Sequence, residues 1–286
     1  MIIWIASYPK SGNTWIRSIL SAYLFSKNGK FNFQLLKNIE RFSSKNLLPE
    51  LSNNLKSQTR ISKNWIPSQK MINQDKKIHL LKTHNALCTI DGNKFTDQFN
   101  TMGVIYIVRD PRNVITSLAH HYEFGLEEAF SFLSNKKKII FPQSFVKVDK
   151  PTKMYEDFNF LGDWSGHYLS WKNVNFCPIK IIKYEDLMID TASIFVSTLE
   201  FLSKFLKFEL DKKKINNVLT STSFKNLSQM EKNEGFQEAI ISPKTKKKIR
   251  FFNLGKKNNW NKLLNKKIIR KIETNFKNEM NELGYL

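Results

Sequence analysis

The sequence predicts a three-layer α/β fold, with a mostly parallel central sheet, flanking helices and a phosphate-binding loop of P-loop-like character. Three observations carry this expectation. Apolar runs at residues 2–6, 76–83, 101–108 and 178–183 have the length and composition of buried strands. Helical patterns follow them, so strands and helices alternate without any internal repeat. The first run breaks at Ser7-Tyr8-Pro9 into Lys10-Ser11-Gly12-Asn13-Thr14, which leads into a helix from Trp15 to about Phe25. At 286 residues the chain is expected to form one domain, residues 1–286.

Strand, glycine-bearing loop and helix start, in that order, form a cradle for an anion. Free N–H groups of the loop and first turn face inward, and Gly12 lets backbone approach closely. Lys10 adds a full charge, and Ser11 and Thr14 add hydroxyl donors. The order differs from a Walker loop, because the lysine precedes the glycine by two residues.

The second strand, KKIHLLKT, carries Lys82, Thr83 and then His84 at its carboxyl end, the edge where open α/β sheets bind ligands. His84 is read either as a functional group or as a hydrogen-bonded strand cap. The third strand, TMGVIYIV, ends in Arg109-Asp110-Pro111-Arg112-Asn113, and Pro111 suits a helix start. Arg109 and Ser117 face one anion in one reading; in the other, Arg109 pairs with Asp110. Residues 127–133 continue as helix, and 139–160 read as a long loop of the kind that covers a site. Residues 163–171 form a helix whose Trp164, His167, Tyr168 and Trp171 face the core. A strand at 178–183 precedes Tyr184-Glu185-Asp186-Leu187, and helices follow near 190–206 and 211–220. Thr222-Ser223-Phe224 starts another helix or turn, and the chain finishes in a long charged helix.

The formal net charge is +21, from 46 basic and 25 acidic residues, which suits an anionic partner. The basic residues are scattered lysines, and no helix-turn-helix, zinc spacing or interleaved aromatic–basic tract supports a nucleic-acid-binding protein, the reading from another class. Two cysteines, Cys88 and Cys177, set up no disulfide framework, so a reducing, cytoplasmic location is expected. No apolar run approaches the ~20 residues of a membrane span. No cysteine, histidine or carboxylate pattern has metal-ligand spacing. A nucleotide or small-molecule kinase with a deviant P-loop is the rival enzyme; it would need a magnesium carboxylate such as Asp110 or Asp186 at a strand end.

Taken together, SYPKSGNTW (7–15), KTH (82–84), YIVRDPRNVITS (106–117), YEDL (184–187), TSF (222–224) and FFNLGKKNNW (251–260) resemble, in order, the motifs of sulfotransferases that use 3′-phosphoadenosine 5′-phosphosulfate, PAPS, in the soluble cytosolic-type branch. The resemblance covers residues 2 to about 264 and implies roles residue by residue. Lys10 contacts the phosphosulfate and stabilises the leaving oxygen. Ser11, Gly12, Asn13 and Thr14 cradle the 5′-phosphate, and Trp15 packs on the adenine. Arg109 and Ser117 hold the 3′-phosphate, Lys82 lies near the sulfuryl group, and His84 takes the proton from the acceptor. Tyr184, Thr222 and Phe224 complete the nucleotide pocket.

The sequence departs from the family where Arg-Lys-Gly and Gly-Asp-Trp-Lys are usual. Those places read Asn253-Leu254-Gly255 and Asn258-Asn259-Trp260-Asn261, which leaves Lys256, Lys257 or Arg250 to replace a missing basic pair. Asn13 stands where threonine is usual. The implied reaction moves a sulfuryl group to a hydroxyl of a small-molecule, lipid or glycan acceptor, with no metal and no nucleic-acid partner. The acceptor's walls are expected from residues 29–70, 85–100 and 139–170.

Overall fold

In the computed structural model, residues 1–42, 62–140, 158–242 and 244–286 are described. The fold is α/β, with a central four-stranded sheet in the order β2-β1-β5-β8 and flanking helices. The chain divides into two compact units, each assembled from three separate stretches.

The first unit comprises Met1–Tyr8, Ile39–Val108 and Asn135–Ile182. Strand β1 (Ile2–Ser7) pairs in parallel with β2 (His79–Thr83) and with β5 (Thr101–Val108). The fourth strand, β8 (Ile179–Lys183), lies beside β5. Every residue of β1 is buried, as suits an interior strand that is apolar on both faces. Trp4 shows how the packing is satisfied: its indole N–H donates to Thr101 Oγ1 at 2.9 Å, and its ring meets Phe42 and Phe95 at centroid distances of 5.3 and 5.1 Å. Helix α2 (Trp65–Ile72) adds Trp65 to this cluster, β3 (Thr89–Ile90) and β4 (Asn93–Lys94) form a small hairpin, and α5 (Trp164–Lys172) buries Trp164, His167, Tyr168 and Trp171. The expected strand from Lys76 begins only at His79, because Lys76 takes a left-handed φ of 57° and closes a 3₁₀ turn. The ends of the expected 139–160 loop pair as β6 (Ile139–Ile140) and β7 (Asn159–Phe160), while residues 141–157 lie outside the described residues, as do 43–61 of the expected acceptor wall.

The second unit comprises Pro9–Asn38, Arg109–Ser134 and Lys183–Leu286. It holds α1 (Asn13–Phe25), α3 (Pro111–Tyr122) and α4 (Leu126–Leu133), followed by the C-terminal helices. The helix expected to run through residue 133 breaks at Glu123, whose φ of 54° caps α3. Helices α7 (Thr191–Ser203) and α8 (Lys212–Ser221) fall where the sequence places them, while α6 (Tyr184–Ile189) is a helix where only a strand end is read, and the Thr222–Phe224 segment starts α9 (Phe224–Glu234), capped by Ser223. After a short α10 (Trp260–Leu263), the expected terminal helix is two, α11 (Lys266–Asn275) and α12 (Lys277–Glu282), split at Phe276.

Pro111 opens α3, and the Asp110 side chain caps it by accepting from the Arg112 amide at 2.8 Å. The same carboxylate binds the Arg112 guanidinium at 2.8 Å, so Asp110 pairs with Arg112. Arg112 also donates to Glu273 at 2.7 Å and to the Tyr285 carbonyl at 2.6 Å, and stacks 3.9 Å from the Trp260 ring centre. One buried arginine thus ties the Arg109–Asn113 motif to α10, α11 and residue 285. Replacing Arg112 with Met should destabilise the protein by on the order of 3 kcal/mol in urea unfolding, because Asp110 would keep its burial and lose its partner. Lys271→Met, which breaks a solvent-exposed pair with Glu127, should change little; equal losses would contradict this account.

Candidate active site

The phosphate loop belongs to the second unit. Lys10 holds a left-handed φ of 65° and Gly12 one of 102°, so the chain coils sharply before α1. A Cβ on Gly12 would sit 2.4 Å from Cδ2 of Tyr184, so glycine is required by conformation and by space. No side-chain hydrogen bond caps the start of α1, and the positive end of its dipole lies at the loop, where it favours an anion. Ser11 is 1 % exposed and its hydroxyl has no hydrogen-bond partner. A buried orphan donor is costly unless a ligand oxygen meets it, so the loop has the chemistry of a phosphate cradle. The Thr14 hydroxyl, expected to face phosphate, donates to Glu238 Oε2 at 2.7 Å, and Arg17 pairs with the other oxygen of that carboxylate. The Lys10 ammonium rests 3.9 Å from the centre of the Phe251 ring.

Arg109 joins the loop to α3. Its Nη1 donates to the Lys10 carbonyl at 3.0 Å and to Ser117 Oγ at 3.2 Å, and its guanidinium lies 4.2 Å from the Tyr184 ring centre. Trp15 meets the same tyrosine edge to face at 5.8 Å, and its indole N–H donates to the Thr222 carbonyl at 2.9 Å. The Thr222 hydroxyl turns into its own helix, donating to Val218, so the backbone of Thr222 is what serves Trp15. Phe224 packs where a Cβ on Gly255 would stand, 2.6 Å away, so the TSF segment and LGKKNNW are in contact. The structure therefore brings Lys10, Ser11, Gly12, Asn13, Thr14, Trp15, Arg109, Ser117, Tyr184, Thr222 and Phe224 into one unit.

The three cations considered for the missing basic pair differ in setting. Lys256 and Lys257 are exposed on a 3₁₀ turn, and the Arg250 guanidinium donates to Ser228 Oγ. The group that reaches Ser117 is a neutral amide, Asn258, whose Nδ2 lies 3.1 Å from the serine oxygen. Sequence reasoning passed over Asn258 because it looks for cations beside phosphates. It also passed over Glu185, whose carboxylate accepts from the Asp110 amide at 3.1 Å and from the Tyr285 hydroxyl at 2.9 Å, and whose pKa is raised by burial.

Lys82 and His84 belong to the first unit. Lys82 is 7 % exposed on β2, and its backbone pairs on both sides with residues 40–42. His84 Nδ1 lies 2.7 Å from the Ser7 carbonyl oxygen, which can only accept. Nδ1 therefore carries the proton, and in the neutral ring Nε2 is the basic nitrogen. The His84 backbone is held at both ends: its N–H donates to Asn159 Oδ1 at 3.3 Å, and its carbonyl accepts from His167 Nε2 at 3.0 Å. His167 in turn accepts from the Tyr106 hydroxyl at 2.8 Å through Nδ1. A cleft of about 370 Å³ opens two residues beyond His84, lined in part by Leu87, Cys88, Lys136, Phe160, Asp163 and Leu169.

The family model described as Sulfotransferase domain matches residues 2–284. Among curated proteins, a flavonol 4′-sulfotransferase of Flaveria chlorifolia is 27% identical over 237 residues, which cover 81% of this chain and 65% of that protein, just under two thirds of its length. Cytosolic sulfotransferase 17 of Arabidopsis thaliana is 22% identical over 289 residues, covering 99% and 75%. Among solved structures, retinol dehydratase in complex with androsterone and the inactive cofactor PAP superposes with a TM-score of 0.61 at 14% identity, covering 98% of this chain and 80% of that one. A mouse sulfotransferase complexed with PAP gives 0.56 at 17% identity, covering 97% and 83%. Likeness at these identities is a likeness of fold.

His167 supplies a test of the unit that holds His84. Burial lowers its pKa to about 4 from the ordinary 6.5, so the folded protein keeps it neutral. As pH falls through 6.5 the unfolded chain takes up the proton first; stability is fully present above that value and drains away down to about 4. The loss should approach about 3 kcal/mol. Urea midpoints between pH 7 and 4.5 should fall less steeply for His167→Gln than for wild type. Parallel curves would mean that this ring is not the buried neutral group described.

Proposed function

The chain belongs to the sulfotransferase domain family, and from that premise we propose that it transfers a sulfuryl group from PAPS to a hydroxyl of a small-molecule acceptor, with lipid-like and glycan alcohols included in that class. The single observation that carries the reading is the loop from Lys10 to Thr14, with its uncapped helix start and buried, unpartnered Ser11 hydroxyl, tied by Arg109 to Ser117. These residues fit a donor bearing a 5′-phosphosulfate and a second phosphate. The whole chain, residues 1–286, is read as one sulfotransferase domain.

When bound, PAPS supplies the activated sulfuryl group. The protein's part is to position, to neutralise developing charge and to move one proton. The loop N–H groups and Ser11 bind the 5′-phosphate. Lys10, leaving the Phe251 face, neutralises the leaving phosphate oxygen, and Lys82 supports charge at the sulfuryl group. Arg109 and Ser117 take the 3′-phosphate, while Trp15, Tyr184 and Phe224 wall the base. His84 removes the acceptor's hydroxyl proton through Nε2, the nitrogen that the Ser7 bond leaves basic. Side chains and a helix terminus carry these roles, with no metal assigned to any step.

The cleft beside residues 86–88 supports an acceptor of modest size. A volume of about 370 Å³ is of the size that takes a small alcohol or phenol. The kinase alternative loses ground at Asp110, whose carboxylate is engaged by Arg112. Two relatives are named cytosolic sulfotransferases, which together with the two unpaired cysteines supports a cytoplasmic location; no helix among the described residues is long and apolar enough to cross a membrane.

Two substitutions test the roles. His84→Ala should lower kcat by roughly 10²–10⁴-fold and leave nucleotide Kd nearly unchanged, and the acidic limb of the rate profile should vanish with it. A histidine that only caps its strand would instead lower thermal stability and leave turnover per folded molecule alone. Lys10→Ala should also collapse kcat; turnover at the wild-type level would remove Lys10 from the leaving oxygen.

A further inference from the structure

Asn258 stands in the segment where the family's basic pair is missing, yet it is the side chain that reaches the proposed 3′-phosphate corner. Its orientation is fixed by its neighbours. Nδ2 faces the Asn113 carbonyl at 3.2 Å, an acceptor that would repel the amide oxygen, and this leaves Oδ1 2.7 Å from the Thr116 hydroxyl, whose one hydrogen is shared between it and the Asn113 carbonyl at 2.8 Å. The Asn113 side chain answers by donating to the Asn258 carbonyl, so residue 258 is clamped to α3 by backbone and side chain together. In this pose the second Nδ2 hydrogen points at Ser117 Oγ, 3.1 Å away.

Ser117 Oγ also receives Arg109 Nη1 at 3.2 Å. A hydroxyl oxygen has two lone pairs and one hydrogen. With both lone pairs taken by donors, the hydrogen becomes the one remaining hydrogen-bonding direction, and Ser117 is set as a donor before any ligand arrives. Removing Asn258 frees a lone pair, lets the hydroxyl rotate and loosens Arg109's partner.

We propose that Asn258 is the specificity-determining positioning residue of the nucleotide site. By filling Ser117's second lone pair, it turns the serine hydroxyl toward a 3′-phosphate and takes over the task of the absent basic pair with an amide in place of a cation. The inference rests on the PAPS reading given above. It makes 3′-phosphate recognition depend on one guanidinium and one oriented hydroxyl, so preference for the 3′-phosphorylated nucleotide should be sensitive to a neutral residue.

Calorimetric titration with adenosine 3′,5′-bisphosphate and with adenosine 5′-monophosphate tests this. Asn258→Ala should weaken the bisphosphate about ten-fold, the worth of one hydrogen bond to a charged group, and the monophosphate less than two-fold. Asn258→Asp, isosteric but lacking the donor, should weaken the bisphosphate more, since its carboxylate accepts the Ser117 proton and repels phosphate. Ser117→Ala combined with Asn258→Ala should lose little beyond Ser117→Ala alone, because the amide acts through the serine. Equal losses for both nucleotides, or additive losses in the double variant, would overturn the proposal and reduce Asn258 to a clamp on α3. Wild-type protein that binds both nucleotides equally, or neither, would instead overturn the PAPS reading and the proposal with it.

Discussion

The Arg109 guanidinium is the constraint on which the candidate phosphate loop and its surroundings depend. Lys10 sits at φ 65°, a conformation that costs an L-residue about 1–2 kcal/mol. Its carbonyl accepts from Arg109 at 3.0 Å, and a hydrogen bond to a charged group contributes about 1.5–3 kcal/mol, enough to hold the coil. The same guanidinium lies on Tyr184, whose ring occupies the space that Gly12 lacks a Cβ to fill. Loop conformation, helix start and aromatic wall are therefore set by one cation. Asp110, the next residue, pairs with Arg112.

The setting of His84 rests on a different device. β1 is covalently continuous with the phosphate loop, and its last residue, Ser7, fixes the His84 tautomer through a carbonyl that can only accept. Behind it, Tyr106 and His167 form a buried chain of donors that ends on the His84 carbonyl. Neither ring in that chain is inclined to ionise: burial pushes His167 down to about 4 and the Tyr106 phenol well up. A neutral, fixed support suits a ring proposed to take up a proton itself.

Much of this was legible in the sequence because it is local. The strand at Thr101–Val108 and the helix start at Pro111 follow from an apolar run and a proline, and the loop from Lys10 to Thr14 follows from a strand broken beside a glycine. What was not legible depends on partners far apart in the chain. Asp110 is held by Arg112, and that arginine's other partners, Glu273 and residue 285, lie more than 160 residues away. Thr14 reads as a phosphate ligand until Glu238, 224 residues away, takes its hydroxyl. Asn258 sat inside a noticed motif but was read by charge, whereas its effect comes from hydrogen-bond geometry on Ser117.

The most direct test of the central claim is group transfer by the wild-type protein. Incubation with PAPS labelled in the sulfuryl group and a panel of alcohols, phenols, glycans and peptides should move label to one or more small hydroxyl compounds, with adenosine 3′,5′-bisphosphate inhibiting. Label confined to peptide tyrosines would contradict the assigned acceptor class. No transfer from PAPS, together with magnesium-dependent ATP binding that the bisphosphate does not compete for, would contradict the reaction itself.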